Sequence, residues 1–302
     1  MQDILLLVQQ TIVMFLLAGI GALLYRTGKL SDEGSKSIGN LLIYLVLPCV
    51  IIKSFLVEKS TANLHALGVS AVLSVLSFLL CILLSSLIFR KDSIAHFAVA
   101  FPNPGFFGIP LIIAVLGEGA VFYVAVYIGF LNLLQFTYGV SVMQGNYENI
   151  SINKLLRTPF VTAITIGLIL FTTQITLPGI LTKTLGYITG LNTPLAMLVV
   201  GVYLAQTDLP KMFRDRRLYL ISAVRLLLIP LITVVIFSFV PARYEAVKTA
   251  VLIATACPVG SNIAVYARLH DKNHTYAVET VTISTLLSIL TIPAILLLAG
   301  RL

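Results

Sequence analysis

Phe101-Pro102-Asn103-Pro104-Gly105-Phe106-Phe107-Gly108-Ile109-Pro110 interrupts an apolar stretch near the end of the first third of this chain. A second run, Cys257-Pro258-Val259-Gly260-Ser261-Asn262, interrupts the corresponding place in the last third. Proline removes a backbone donor and clashes with the preceding turn, and glycine has little helical preference, so neither run continues as an unbroken helix. Inside lipid, the freed N–H and C=O groups are tolerated only where protein or a wet cavity satisfies them. Matched interruptions in the two halves of a membrane protein are a sequence pointer to a transporter's binding site.

Composition places the chain in the bilayer. Of its 302 residues 58% are hydrophobic and 11% charged, with a mean hydropathy of +1.01. A soluble domain of this length cannot hide that much apolar surface, so an all-α polytopic membrane protein is expected. The formal charge of +8 does not indicate a nucleic-acid partner, because the basic residues are dispersed through short connections with no stripe or arm. Cys49, Cys81 and Cys257 lie in apolar segments at no metal-ligand spacing, so they read as small buried hydrophobes; neither a metal site nor a cofactor is expected. Residues 4–25 lack a basic leader and a small-residue cleavage site, and read as a retained first span.

Hydropathy gives ten candidate spans, at 4–25, 36–57, 66–89, 94–115, 119–143, 158–177, 180–206, 217–240, 246–267 and 274–299, each near the length a bilayer core demands. Pro178-Gly179 is the only punctuation between the sixth and seventh, and Asn192-Thr193-Pro194 interrupts the seventh internally. The odd-numbered connections hold thirteen Lys and Arg, among them Arg26, Arg90, Lys154, Arg217 and Arg268, against six in the even connections, termini and adjacent span ends. This asymmetry predicts a cytoplasmic location for the odd connections and an extracytoplasmic one for both termini. The longest polar connection, Gln144–Arg157, divides the chain into a first half at 1–145 and a second at 146–302. Five spans in each half require the second to be inserted upside down relative to the first. An offset of 154 residues brings Pro104 onto Pro258, Phe122 onto Tyr276 and Val124 onto Val278. Both interrupted spans are then the fourth of their half.

The order of motifs resembles the auxin efflux carrier family, whose bacterial members include malate and malonate permeases. The likeness covers nearly the whole chain. It rests on Gly28-Lys29-Leu30, Leu47-Pro48, Asn103 through Leu111, Thr158-Pro159-Phe160, Pro194 through Leu198 with Gly201, Arg225 with Pro230-Leu231, Pro258-Val259-Gly260, and Ser284 through Ser288 with Pro293. The resemblance implies two inverted five-helix repeats whose broken fourth and ninth helices cross at the membrane midplane. It implies a scaffold built from spans one, two, six and seven, about 4–57 and 158–206. A transport domain would come from spans three to five and eight to ten, about 66–143 and 217–299. It also implies a homodimer joined through the scaffold, in the plasma membrane of the cell or the inner membrane of a bacterium. The long central hydrophilic loop of many plant members is missing, so loop-based regulation does not carry over.

Asn103 before Pro104-Gly105 is a good half-helix start, an N-cap side chain followed by proline at the first helical position. Pro258 is expected to start a second half-helix in the same way, with Ser261 and Asn262 in its first turn. Half-helix N-termini carry unpaired N–H groups and roughly half a positive charge, so they can hold a carboxylate without a basic residue. The candidate substrate site therefore comprises Asn103, Pro104, Gly105, Gly108 and Pro110 with Pro258, Gly260, Ser261 and Asn262. The bland alternative is a pair of proline kinks in which each Asn only caps backbone.

Intramembrane charge is scarce, which makes Arg225 in the eighth span and Glu279 in the tenth candidate charge partners on the path of an organic anion. A fixed structural role for Arg225 competes with that reading. The expected function is secondary transport of small organic anions, carboxylates such as malate or auxin-like acids, by alternating access. Coupling to H+ or Na+ stays open, as do a sodium-coupled symporter of the bile-acid-carrier type and a non-transporting carboxylate sensor. An enzyme is not expected: the acidic residues mostly sit in the connections, and no pair of intramembrane Asp occurs.

Overall fold

The computed structural model describes residues 2–145 and 158–300, with side chains from residue 5 onward. Among the described residues the regular structure is helical, apart from one isolated antiparallel bridge. In chain order the helices are α1 (Gln2–Arg26), α2 (Asp32–Ser54), α3 (Thr61–Phe89), α4 (Ser93–Ala100), α5 (Pro104–Leu116), α6 (Glu118–Gln144) and α7 (Pro159–Thr173). They continue as α8 (Gly179–Gln206), a single turn at Leu209–Met212, α9 (Arg216–Ser238), α10 (Glu245–Ala256), α11 (Asn262–Leu269) and α12 (His274–Ala299). Seven of these are long and apolar enough to cross a membrane: α1, α2, α3, α6, α8, α9 and α12. The three expected spans outside that set are the fourth, divided into α4 and α5, the ninth, divided into α10 and α11, and the sixth, which is the shorter α7. The longest polar connection of the sequence reading falls largely outside the described residues.

Helix starts follow from polar side chains just outside the apolar runs. Ser31, Ser60, Asp92, Asp215 and Asn273 accept hydrogen bonds from first-turn amides of α2, α3, α4, α9 and α12. Thr158 does the same for α7, with Pro159 in the first helical position. That helix stops at Thr173 because Gln174 turns into the left-handed region at φ 54°. The Gln174 side chain then bonds Phe171 O (2.7 Å) and accepts from Lys59 N (3.0 Å), tying the end of α7 to the connection after α2.

Three helices contain a π turn ending two residues before a proline: Leu42–Val46 before Pro48, Pro104–Gly108 before Pro110, and Val224–Leu228 before Pro230. A proline ring presses on the carbonyl one turn back and offers that carbonyl no donor. Widening the preceding turn by one residue relieves both problems without ending the helix. The fourth π turn, Gln135–Gly139 in α6, has no such proline.

Helix packing is continuous through the bundle, and α1 also meets α5 and α12. The second half of α8 lies along α1, and the end of α2 lies along α7. Elsewhere α3 packs against α4 and α6, α10 against α6, and α12 against α9 and α11. The α1–α8 contact is close enough to demand glycine: a β-carbon at Gly201 would stand 2.0 Å from the carbonyl oxygen of Ala18. Gly201→Val should therefore lower stability by about 1–3 kcal/mol or more, since the obstacle is backbone and cannot rotate away. Thermal unfolding of the purified protein in detergent checks this, and an unchanged midpoint contradicts it.

Candidate site where the two helix breaks meet

The two interruptions lie against each other. Pro102 and Val259 form an antiparallel bridge. Asn103 N donates to Pro258 O (2.9 Å), and Gly260 N donates to Phe101 O (3.0 Å). Phe101 and Cys257, each just before a proline, are extended at ψ 108° and 151°, as the proline ring demands of its predecessor. Backbone groups that an unbroken helix would bond internally are thus bonded between the two breaks. Val259 N is satisfied differently, by Ser284 Oγ of α12 (3.1 Å). Ser284→Ala leaves that buried N–H without an acceptor and should cost about 1–3 kcal/mol. A melting temperature within error of the wild type would contradict this assignment.

On the first break, Asn103 caps α5 through its side-chain oxygen to Phe106 N (3.4 Å), with Pro104 first in the helix. The second break differs from expectation. The helix α11 begins at Asn262, with Ser261 before it, and Pro258 does not start it. The reason lies in the bridge: Pro258 O and Gly260 N are held by the first break, so the chain stays extended until Gly260 and only then coils. Gly260 is required by this approach, since a β-carbon there would stand 2.9 Å from Pro102 O and 3.2 Å from Phe101 O.

A cavity of about 30 Å³ opens beside the bridge; a water molecule takes about 10–15 Å³ in the same measure. Of the sequence-predicted site residues, Asn103, Pro104, Gly105, Gly260, Ser261 and Asn262 line it. Gly108, Pro110 and Pro258 are buried outside the lining. Gly108 serves packing, because a β-carbon there would stand 2.9 Å from Cys257 Sγ. Pro110 sets the π turn, and Pro258 presents its carbonyl to Asn103.

The cavity also draws on residues that the sequence reading passed over. Asn132 and Gln135 of α6 line it, and Asn262 Nδ2 donates to Gln135 Oε1 (3.1 Å). Their three-residue spacing puts them on one helical face, and polar side chains on one face of an apolar span were the available signal. Asn192, at the interruption noted inside the seventh span, donates from Nδ2 to Gly105 O (3.2 Å). Its Oδ1 is buried without a hydrogen-bond partner. The rest of the lining is apolar, chiefly Ile43, Leu47, Phe106, Ile128, Leu131 and Phe160, and it holds no charged side chain. Chemically this is a pocket of amide and hydroxyl groups at the heads of two half-helices, α5 and α11, with an apolar wall opposite.

The expected pairing of Arg225 with Glu279 is corrected. Neither ion pair among the described residues involves them; those pairs are Lys53–Glu118 and Lys248–Glu245. Arg225 is 0% exposed and spends its donors on carbonyls: Nε to Cys257 O (3.2 Å), one terminal nitrogen to Val99 O (2.9 Å), the other to Thr255 O. The charged groups acting on Glu279 are Lys211, Asp215 and Asp208. The π turn at Val224–Leu228 and the free carbonyls ending α4 and α10 explain the change of partner. His96 is buried on α4 and bonded to the Tyr138 hydroxyl (2.8 Å), outside the cavity lining.

Comparison with known proteins gives two results. A family model described as "Membrane transport protein" matches residues 6–154 and 146–296. A protein of Rhizobium meliloti (strain 1021) described as "Putative malonate transporter" is 26% identical over 296 residues, covering 91% of each chain.

Proposed function

Because this chain belongs to the membrane transport protein family, the auxin efflux carrier family of the sequence reading, we propose that it carries small carboxylates across the bilayer by alternating access. The observation that carries this reading is the meeting of two broken helices beside a cavity lined by Asn103, Ser261, Asn262, Gln135 and Asn132 without a charged side chain. A carboxylate there would take its hydrogen bonds from side-chain amides and the heads of α5 and α11. Each head carries roughly half a positive charge, enough to favour an anion in a site that water has left. The description of the Rhizobium meliloti relative makes malonate the first substrate to test.

In this reading the chain crosses the membrane ten times as two inverted five-helix repeats, with both termini outside and the bridge near the midplane. The set α1, α2, α7 and α8 would be the scaffold, also holding a second copy of the chain, and the remaining helices would move as the carrier. A cavity of about 30 Å³ is smaller than malonate, so the carrier would have to part from the scaffold to load it. Asn192 stands at that boundary, a scaffold side chain bonded to the carrier at Gly105.

Counterflow in proteoliposomes tests the proposal. Vesicles loaded with unlabelled malonate should accumulate labelled malonate above the level of empty vesicles. Runs with and without Na+, and with and without a pH gradient, identify the coupling ion. Saturable binding without flux would replace the carrier by a sensor, and neither binding nor flux with any short carboxylate would end the reading.

A further inference from the structure

A guanidinium wholly buried beside the bridge, with no carboxylate partner, calls for an account of its own. Arg225 reaches the ends of both interrupted helices at once. It donates to Val99 O at the end of α4, and to Thr255 O and Cys257 O at the end of α10. It also touches Cys81 Sγ of α3 (3.4 Å). Each helix C-terminus carries roughly half a negative charge, so the two together offset about one positive charge. That balance explains how a full charge sits 0% exposed among apolar helices without an acidic neighbour.

We propose that Arg225 is the positioning residue of the transport site, a clamp that joins the C-terminal ends of α4 and α10. Those helices lead directly into the two bridged segments, Phe101–Asn103 and Cys257–Gly260. Fixing the ends of the incoming half-helices fixes the bridge, and the bridge fixes where the heads of α5 and α11 point. Arg225 acts through this frame and does not touch the transported anion, since it is absent from the cavity lining. The site then holds its aim through a transport cycle because incoming and outgoing half-helices move as one body. The residue type follows from the geometry: a planar fork reaches several carbonyls in different directions and never loses its proton, whereas a lysine ammonium is a single point on a flexible stem.

The proposal rests on the carboxylate-carrier reading only for its transport arm, and its exchange arm needs no substrate. In the wild-type protein, amides of Asn103 and Gly260 should exchange with deuterium as slowly as helix interiors. Fast exchange there overturns the clamp even if no variant folds. Arg225→Lys should speed exchange in peptides spanning the two breaks by about tenfold while other helices stay protected. Its KM for malonate counterflow should rise by about tenfold with a smaller change in maximal rate, the signature of a misaligned binding site. Arg225→Gln, neutral and shorter, should exceed Lys in both effects. Wild-type exchange in a folded Lys variant overturns the clamp. A raised KM with unchanged exchange also overturns it, by making Arg225 a direct contact of the anion. Absence of malonate counterflow in the wild-type protein, with the exchange result as expected, would remove the substrate assignment and leave the clamp standing.

Discussion

Gly260→Ala is expected to cut transport at least about tenfold in a protein that still inserts and purifies. The new methyl would lie 2.9 Å from Pro102 O and 3.2 Å from Phe101 O, and both obstacles are backbone. The bridge must open, which lengthens or breaks the bonds Asn103 N–Pro258 O and Gly260 N–Phe101 O. Overpacking of this kind costs about 1–3 kcal/mol. The fold loses only part of its stability, whereas the site loses the alignment of both half-helix heads. Transport should fall at least about tenfold, the factor that 1.4 kcal/mol of lost site geometry would produce. Gly186→Ala is the control, because a β-carbon there meets nothing within 4 Å and the first half of α8 buries no residue. Counterflow and thermal melting on the two variants separate a site effect from general damage. Wild-type transport by Gly260→Ala would mean that the bridge is not needed in the cycle.

The second large effect is expected from Asn103→Asp. Aspartate caps a helix as well as asparagine does, so the bond from Phe106 N and the start of α5 survive. What changes is the sign of the charge beside the cavity. Two negative charges about 4 Å apart repel by about 4 kcal/mol at an effective dielectric of 20. Malonate uptake at neutral pH should therefore fall by two to three orders of magnitude, to about 0.1–1% of wild type. Acidification that protonates the introduced carboxyl should restore part of it. Uptake and melting temperature measured from pH 5 to 8 check both halves of the claim. An Asp variant that transports like the wild type at neutral pH would remove Asn103 from the anion's surroundings.

Much of the architecture was legible because its determinants are local. Apolar runs, capping side chains and prolines placed every expected span within a few residues of an observed helix, down to the short α7 and the turn before Asn192. The start of the second half-helix was misplaced by the analogy with Asn103-Pro104: proline at a first helical position is a local preference, and the bridge to Phe101 and Asn103 overrides it. Gly108, Pro110 and Pro258 looked like site residues because glycine and proline mark where a helix breaks. Which of them faces a cavity is decided by the rotation of one break against the other, and no single segment encodes that. Asn132 and Gln135 were missed because they reach the site from a span that carries no proline, and Asn192 because it acts on the Gly105 carbonyl without lining the cavity. Arg225 was singled out by its rarity in an apolar span, and its carbonyl partners came into view only once two distant helix ends were placed side by side.

The central claim is that an anion sits where the two breaks meet. Its most direct test is substrate protection of a single introduced thiol at the cavity wall. Ser261 lines the cavity and is buried, so Ser261→Cys in proteoliposomes should react with a small methanethiosulfonate reagent above the baseline of the parent protein, whose own thiols are Cys49, Cys81 and Cys257. Malonate should slow that labelling in a saturable manner, with a half-effective concentration matching the KM for counterflow. A thiol placed at Leu181 on the exposed face of α8 should show no protection. Labelling at position 261 that saturating malonate leaves unchanged, in a protein that transports malonate, would contradict the account and move the site elsewhere.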